Sequence, residues 1–222
     1  MRFSMRVMIF VVAALAWATS SWAQIPERRV VGHTVYSPRD PRVEIHVPKN
    51  VEYVGSDTFA LTKPGVGEFD VCELYAFAKG DKDGSLRKLY WVHFEHLLPN
   101  HPEMHMTYDS PRHAKIGGLD FFVDTEFSDG TSIPKPGSDT EHFYKLLAAH
   151  GYKRAPMMFV RLVHLTDDSS RKELMLIVGE ALPPGVTSAS LKEGGKDRAR
   201  WPALERRLID LAVHSISITA QR

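Results

Sequence analysis

The fold is decided by residues 156–180, whose sequence is PMMFVRLVHLTDDSSRKELMLIVGE. Two runs rich in β-branched and aromatic residues, 156–166 and 172–180, flank the polar residues 167–170, which is the pattern of two strands joined by a turn. Apolar side chains occur at successive positions in both runs, so both faces of each strand carry them. Because an apolar face has to be covered, this hairpin predicts a sheet that is packed on both sides.

Further strand patterns precede this hairpin along the chain. They are short apolar or aromatic runs bounded by proline, glycine or polar residues, and they lie at 30–36, 42–47, 59–62, 70–78, 89–96, 113–116 and 119–127. The turn sequence at 80–84, GDKDG, predicts a hairpin between 70–78 and 89–96, and Gly117-Gly118 predicts another. An alternating segment at 215–219 predicts a last edge strand.

Two segments have helical spacing. Ser138 and Glu141 fit a capping box and Gly151 fits a helix stop, so we expect a helix at 138–150. Apolar residues recur on one face of 201–214, which predicts a second helix. Because the strands come in runs and the helices come late, the sequence predicts an α+β fold. Its mainly antiparallel twisted sheet should have about 7–9 strands, with these two principal helices packed on it.

The N-terminus has the pattern of a cleavable signal peptide at residues 1–23. Two arginines precede an apolar run at 7–18, and the small residues Ser21 and Ala23 occupy the −3 and −1 positions. A membrane-spanning helix needs about 20 apolar residues, which this run does not reach. We therefore expect cleavage before Gln24, a periplasmic or secreted location, and no stable membrane insertion after cleavage.

Composition limits what the remaining chain, residues 24–222, can be. Removal of the signal peptide takes away two arginines and no acidic residue, so the formal net charge falls from +1 to −1. A near-neutral chain offers no electrostatic argument for binding nucleic acid or an anionic membrane. No linker divides it, so we expect one globular domain. Cys72 is the only cysteine, and its apolar strand setting predicts a buried and unreactive thiol.

An unusual concentration of histidine lies between residues 91 and 113. The segment holds five of the 11 histidines, interleaved with glutamate and methionine. Imidazole and thioether groups are ligands for copper and zinc, which makes a metal site a hypothesis. The candidate ligands are His93, Glu95, His101, His105 and His113. On a strand, His93 and Glu95 would share a face, and on a helix His101 and His105 would align. The alternative is a polar loop whose histidines are solvated or bonded to the backbone.

The sequence carries no catalytic template. It lacks the G-x-S-x-G elbow of serine hydrolases, the H-E-x-x-H pattern of metalloproteases and a phosphate-binding loop. This favours a non-catalytic protein that binds an unknown small ligand or protein partner, with strand aromatics lining a pocket. Those aromatics are Tyr90, Trp91, Phe94, Phe121 and Phe122. The alternatives are a metal-handling (Cu/Zn) protein that uses residues 93–113, and a hydrolase without a recognisable motif.

Overall fold

The computed structural model describes residues 27–221, so the expected signal peptide lies outside the described residues. This part of the chain contains eleven strands. They are β1 (Arg29–Val31), β2 (Thr34–Pro38), β3 (Arg42–His46), β4 (Glu52–Lys63), β5 (Gly67–Gly80), β6 (Leu86–Leu97), β7 (His113–Ile116), β8 (Leu119–Ser128), β9 (Met157–Leu165), β10 (Lys172–Ala181) and β11 (Ser217–Ala220). The helices are α1 (Asp139–Ala149), the short α2 (Ser188–Leu191) and α3 (Trp201–Ser215).

The strands form two antiparallel sheets. The large sheet has seven strands in the order β4-β5-β6-β10-β9-β8-β7, and the small sheet has four in the order β1-β2-β3-β11. The predicted hairpins at β5–β6, β7–β8 and β9–β10 are present. The predicted edge strand near the end of the sequence is β11, which pairs with β3.

The sheet-dominated, antiparallel α+β class is confirmed, and the finer description needs correction. The sequence predicts one sheet of about 7–9 strands, whereas the described residues form two sheets with eleven strands. One cause is local: Gly32, at a φ of +60°, starts a two-residue turn that divides the expected strand at 30–36 into β1 and β2. The two expected principal helices are α1 and α3, and α2 is an additional short one.

The large sheet separates two apolar clusters, as expected for strands with apolar residues on both faces. On one face its side chains pack with the small sheet and α3, through residues such as Val35, Phe94 and Leu208. On the other face α1 contributes Phe143 and Leu147 to a smaller cluster. The α1 helix therefore covers only part of its face of the sheet. None of the helices described between residues 27 and 221 is both long enough and apolar enough to cross a membrane.

Candidate functional site

Pairing of β5, β6 and β10 places three titratable side chains in one row across the large sheet. Cys72 lies opposite Glu95, and Glu95 lies opposite Glu173. The neighbouring row contains His93. Since directly paired residues, and residues two apart on one strand, point to the same face, these groups all face the α1 side of the sheet.

A cavity of about 630 Å³ opens on this face, between the sheet, α1 and the loop that precedes α1. Six aromatic side chains form part of its walls. Trp91 and Phe143 stack with ring centroids 4.4 Å apart, which fixes the contact between α1 and β6. The aromatic residues that line the cavity are Trp91, Tyr108, Phe127, Phe143, Tyr144 and Phe159.

Two glutamates also face the cavity, Glu173 buried and Glu95 partly buried. Glu173 is 1% exposed, and its carboxylate accepts a hydrogen bond of 2.5 Å from the Tyr108 hydroxyl. Burial raises the pKa of Glu173 to about 7, although the Tyr108 hydrogen bond acts in the opposite direction. Burial, together with the negative charges of Glu173 and Asp70, raises the pKa of Glu95 well above its usual value. The cavity therefore contains one carboxyl group, that of Glu173, that gains or loses a proton near neutral pH.

The basic side chains of the cavity contact groups other than Glu95 and Glu173. Arg161 donates to Asp124 at 2.8 Å, and the guanidinium of Arg154 lies 4.3 Å from the ring centroid of Tyr144. Within residues 27–221, no lysine or arginine nitrogen lies within 4 Å of a carboxylate oxygen of Glu95 or Glu173. Both carboxyl groups consequently lack a direct cationic partner in the described part of the protein.

The predicted metal ligands occupy different surroundings. His93 and Glu95 share a face as expected, with Nδ1 of His93 3.3 Å from Oε1 of Glu95. Nε2 of His101 lies 3.1 Å from the Glu68 carbonyl oxygen, and Nδ1 of His105 lies 2.9 Å from that of Ser169.

No helix forms between residues 98 and 112, so the helical alignment of His101 with His105 does not arise. The ring of His113 lies 4.8 Å from that of Phe122. Of the five predicted ligands, only His93 and Glu95 belong to the group of close donors found within residues 27–221, and its third member is Cys72. Metal binding by His101, His105 and His113 stays a prediction.

The expected aromatic residues contribute less to the cavity than the sequence suggested. Trp91 lines it, but Tyr90, Phe94 and Phe121 are buried in the core on the opposite face. Phe122 contacts the ring of Tyr108, with centroids 5.7 Å apart. Strand alternation explains this result, because Tyr90 and Phe94 occupy the positions next to Trp91 and His93 and so point the other way.

Sequence reasoning missed Glu173, Tyr108 and the functional setting of Cys72. A signal for Glu173 existed, because it is an acidic residue at the start of a run that is otherwise apolar on both faces.

Comparisons of the chain with protein-family models, with curated proteins and with solved structures found no match. The site therefore has to be interpreted from its own chemistry.

Proposed function

We propose that this protein is an exported, non-catalytic binding protein whose cavity takes a small organic cation, such as a protonated amine with an apolar body. The observation that carries the proposal is Glu173, a buried carboxyl group without a direct cationic partner that faces an aromatic cavity. Burial of an unpaired carboxylate is unfavourable. A cationic ligand would supply the missing charge at this position.

Acidic side chains outnumber basic ones around the cavity, which supports a cation over an anion, because a bound cation favours the ionised form of a carboxyl group whose pKa burial has raised. Four carboxyl groups and two guanidinium groups line it, and one of the guanidinium groups, that of Arg161, is already paired with Asp124. The acidic residues are Glu95, Glu126, Asp139 and Glu173. In a site with restricted water access, an interaction between a ligand ammonium and a carboxylate is stronger than it would be in bulk water.

The aromatic walls suit the rest of such a ligand. Ring faces attract an ammonium group within about 6 Å and also bury apolar surface. The volume of about 630 Å³ falls in the range of small-molecule pockets, roughly 300–1,000 Å³.

The lack of a nucleophile motif in the sequence favours binding over turnover, and the signal-peptide pattern favours a periplasmic or secreted location. Mass spectrometry of exported protein should find Gln24 as the first residue.

Three ligands with one body and different charges test the proposal. Benzylamine, benzyl alcohol and benzoate are titrated into the purified protein by calorimetry at about pH 8, above the pKa of Glu173. We expect benzylamine to bind most tightly and benzoate most weakly. Glu173→Gln should weaken benzylamine binding by about tenfold or more, because it removes a buried charge partner.

The same substitution should leave the affinity for benzyl alcohol nearly unchanged. Glu68→Gln, at an exposed glutamate of β5 outside the cavity, is the matched control and should bind benzylamine like the unmodified protein. Equal binding of the three ligands, or an amine affinity that does not respond to Glu173→Gln, would rule the proposal out.

A further inference from the structure

His93 is a buried polar side chain whose hydrogen bonds are not satisfied. It is 0% exposed, and neither ring nitrogen has a hydrogen-bond partner within the described residues. The 3.3 Å approach of Nδ1 to Glu95 is close but does not have the geometry of a hydrogen bond. A buried polar group without a hydrogen-bond partner destabilises the fold, so an unobserved partner such as a bound ion is one physical explanation for it.

The surroundings of His93 provide further metal-binding atoms. The Sγ of Cys72, a ring nitrogen of His93 and a carboxylate oxygen of Glu95 all lie within 4.8 Å of one another. Two antiparallel strands fix this group, because Cys72 pairs with Glu95 and His93 precedes Glu95 by two residues on the same face. Ligands at about 2.0–2.3 Å from a tetrahedral zinc ion lie about 3.3–3.8 Å apart. The group therefore needs to contract by at most about 1.0–1.5 Å to reach this geometry.

We propose that Cys72, His93 and Glu95 form a Zn²⁺ site on the α1 face of the large sheet, with a fourth coordination position directed to the cavity. Glu95 links the two places, because it is also part of the cavity wall. Sulfur, imidazole nitrogen and carboxylate oxygen together are the ligand types of zinc sites, whereas Ca²⁺ and Mg²⁺ prefer oxygen alone. This site differs from the histidine-rich loop, since His101, His105 and His113 are not members.

The charge balance of the zinc-bound state suits a buried position. Burial raises the pKa values of the Cys72 thiol and the Glu95 carboxyl, so it opposes the loss of their protons, and a bound cation would have to offset this cost. Burial lowers the pKa of His93 to about 3, so its imidazole is neutral and free of a competing proton. Binding of Zn²⁺ releases the thiol proton and the carboxyl proton. The resulting thiolate and carboxylate balance the two charges of the ion.

The test uses the purified protein after treatment with a chelator. We expect one Zn²⁺ per chain in competition with a chromophoric chelator, and, with Co²⁺ in place of Zn²⁺, a thiolate-to-metal charge-transfer band in the near ultraviolet. Cys72→Ala should abolish that band and weaken Zn²⁺ binding at least about 100-fold, while Glu95→Gln should weaken binding but keep the band. The double variant His101→Ala/His105→Ala is the control and should retain both the band and the stoichiometry.

The outcomes separate this site from other metal binding. A Co²⁺ complex of the unmodified protein without a charge-transfer band would overturn the proposal, and this measurement requires no variant to fold. Binding that survives Cys72→Ala but is lost with His101 and His105 would place the metal in the loop instead. Circular dichroism and thermal unfolding verify that each variant is folded. The inference does not depend on the organic cation, because Zn²⁺ alone is the probe.

Discussion

At the scale of single residues, Gly179 shows how tightly the floor of the cavity is built. It lies on β10 between Leu89 of β6 and Phe159 of β9, both of which line the cavity. A Cβ atom added at this position would lie 2.8 Å from Cγ of Leu89 and 3.0 Å from Cδ1 of Phe159. Glycine is therefore needed here for space, so that two large side chains can meet over the strand.

We expect Gly179→Ala to lower the free energy of unfolding by about 1–3 kcal/mol, because the added methyl group overpacks the site. Denaturant unfolding followed by circular dichroism measures this loss. In a Leu89→Ala background, which makes room for the methyl group, the same substitution should cost less. Equal costs in the two backgrounds would show that crowding against Leu89 is not the cause.

Residue patterns along single strands predicted part of the site, but they did not predict which residues of neighbouring strands lie opposite each other. Alternation along one strand is enough to place His93 and Glu95 on a common face. In the β5–β6 hairpin, paired residues such as Asp70 with Leu97 and Lys79 with Lys88 lie at equal distances along the chain from the turn residues 83 and 84. A sequence prediction with this register would have placed Cys72 beside Glu95. The position of Glu173 could not be obtained in this way. It depends on the register between β6 and β10, which are separated by four intervening elements and share no turn.

At the scale of elements, the N-terminal end of α1 carries residues that line the cavity. Ser138 is its N-cap, and the hydroxyl oxygen accepts a hydrogen bond of 3.2 Å from the Glu141 backbone N–H. The other half of the predicted capping box differs, because the Glu141 side chain accepts from the backbone N–H of Gly137 instead. Asp139, Phe143 and other cavity residues follow directly from this cap.

Ser138→Ala should destabilise the protein by about 1 kcal/mol, because one backbone N–H at the helix start loses its acceptor. Thermal unfolding measures the change. Ser138→Asp keeps an acceptor and places a negative charge at the helix N-terminus, so it should retain the original stability or exceed it. A loss of the same size in both variants would contradict the capping role.

Local sequence patterns predicted most of the strands and helices, but they did not predict which strands belong to which sheet. The hairpins and the two longer helices have turn residues, caps and apolar spacing that act within a few residues. Whether a strand joins one sheet or another depends on long-range packing, which no local pattern carries. For this reason β11 was expected as an edge strand, but its partner β3 and the separate four-stranded sheet were not.

At the scale of the whole molecule, Glu205 joins α3 to the large sheet and to the segment before β7. Its carboxylate accepts from the Thr125 hydroxyl on β8 and lies 2.6 Å from Nη1 of Arg112. Burial acts to raise the pKa of Glu205, but these hydrogen bonds outweigh burial and lower the pKa below its usual 4.5. A carboxyl group with a lowered pKa stabilises the fold at neutral pH, and this contribution disappears as the pH falls through the folded-state pKa.

Glu205→Gln should therefore reduce the free energy of unfolding by about 1 kcal/mol at pH 7. At about pH 3 the difference from the unmodified protein should shrink, since the glutamate is then becoming protonated in both states. Denaturant unfolding at the two pH values measures this, with the exposed Glu193→Gln as the control. A deficit of constant size across the pH range would indicate a steric effect instead of a charge effect.

The pairing of β3 with β11 has a consequence for how the chain comes to be folded. Val43 is aligned with Ala220, so strands made early in synthesis lack one neighbour until the ribosome has delivered almost the whole described chain. Closing so long a loop is entropically costly and is associated with slow folding. The small sheet therefore stays incomplete until residues 217–220 have been synthesised. Under the export proposal, this delay gives the transport machinery time to act before the protein has reached its final shape.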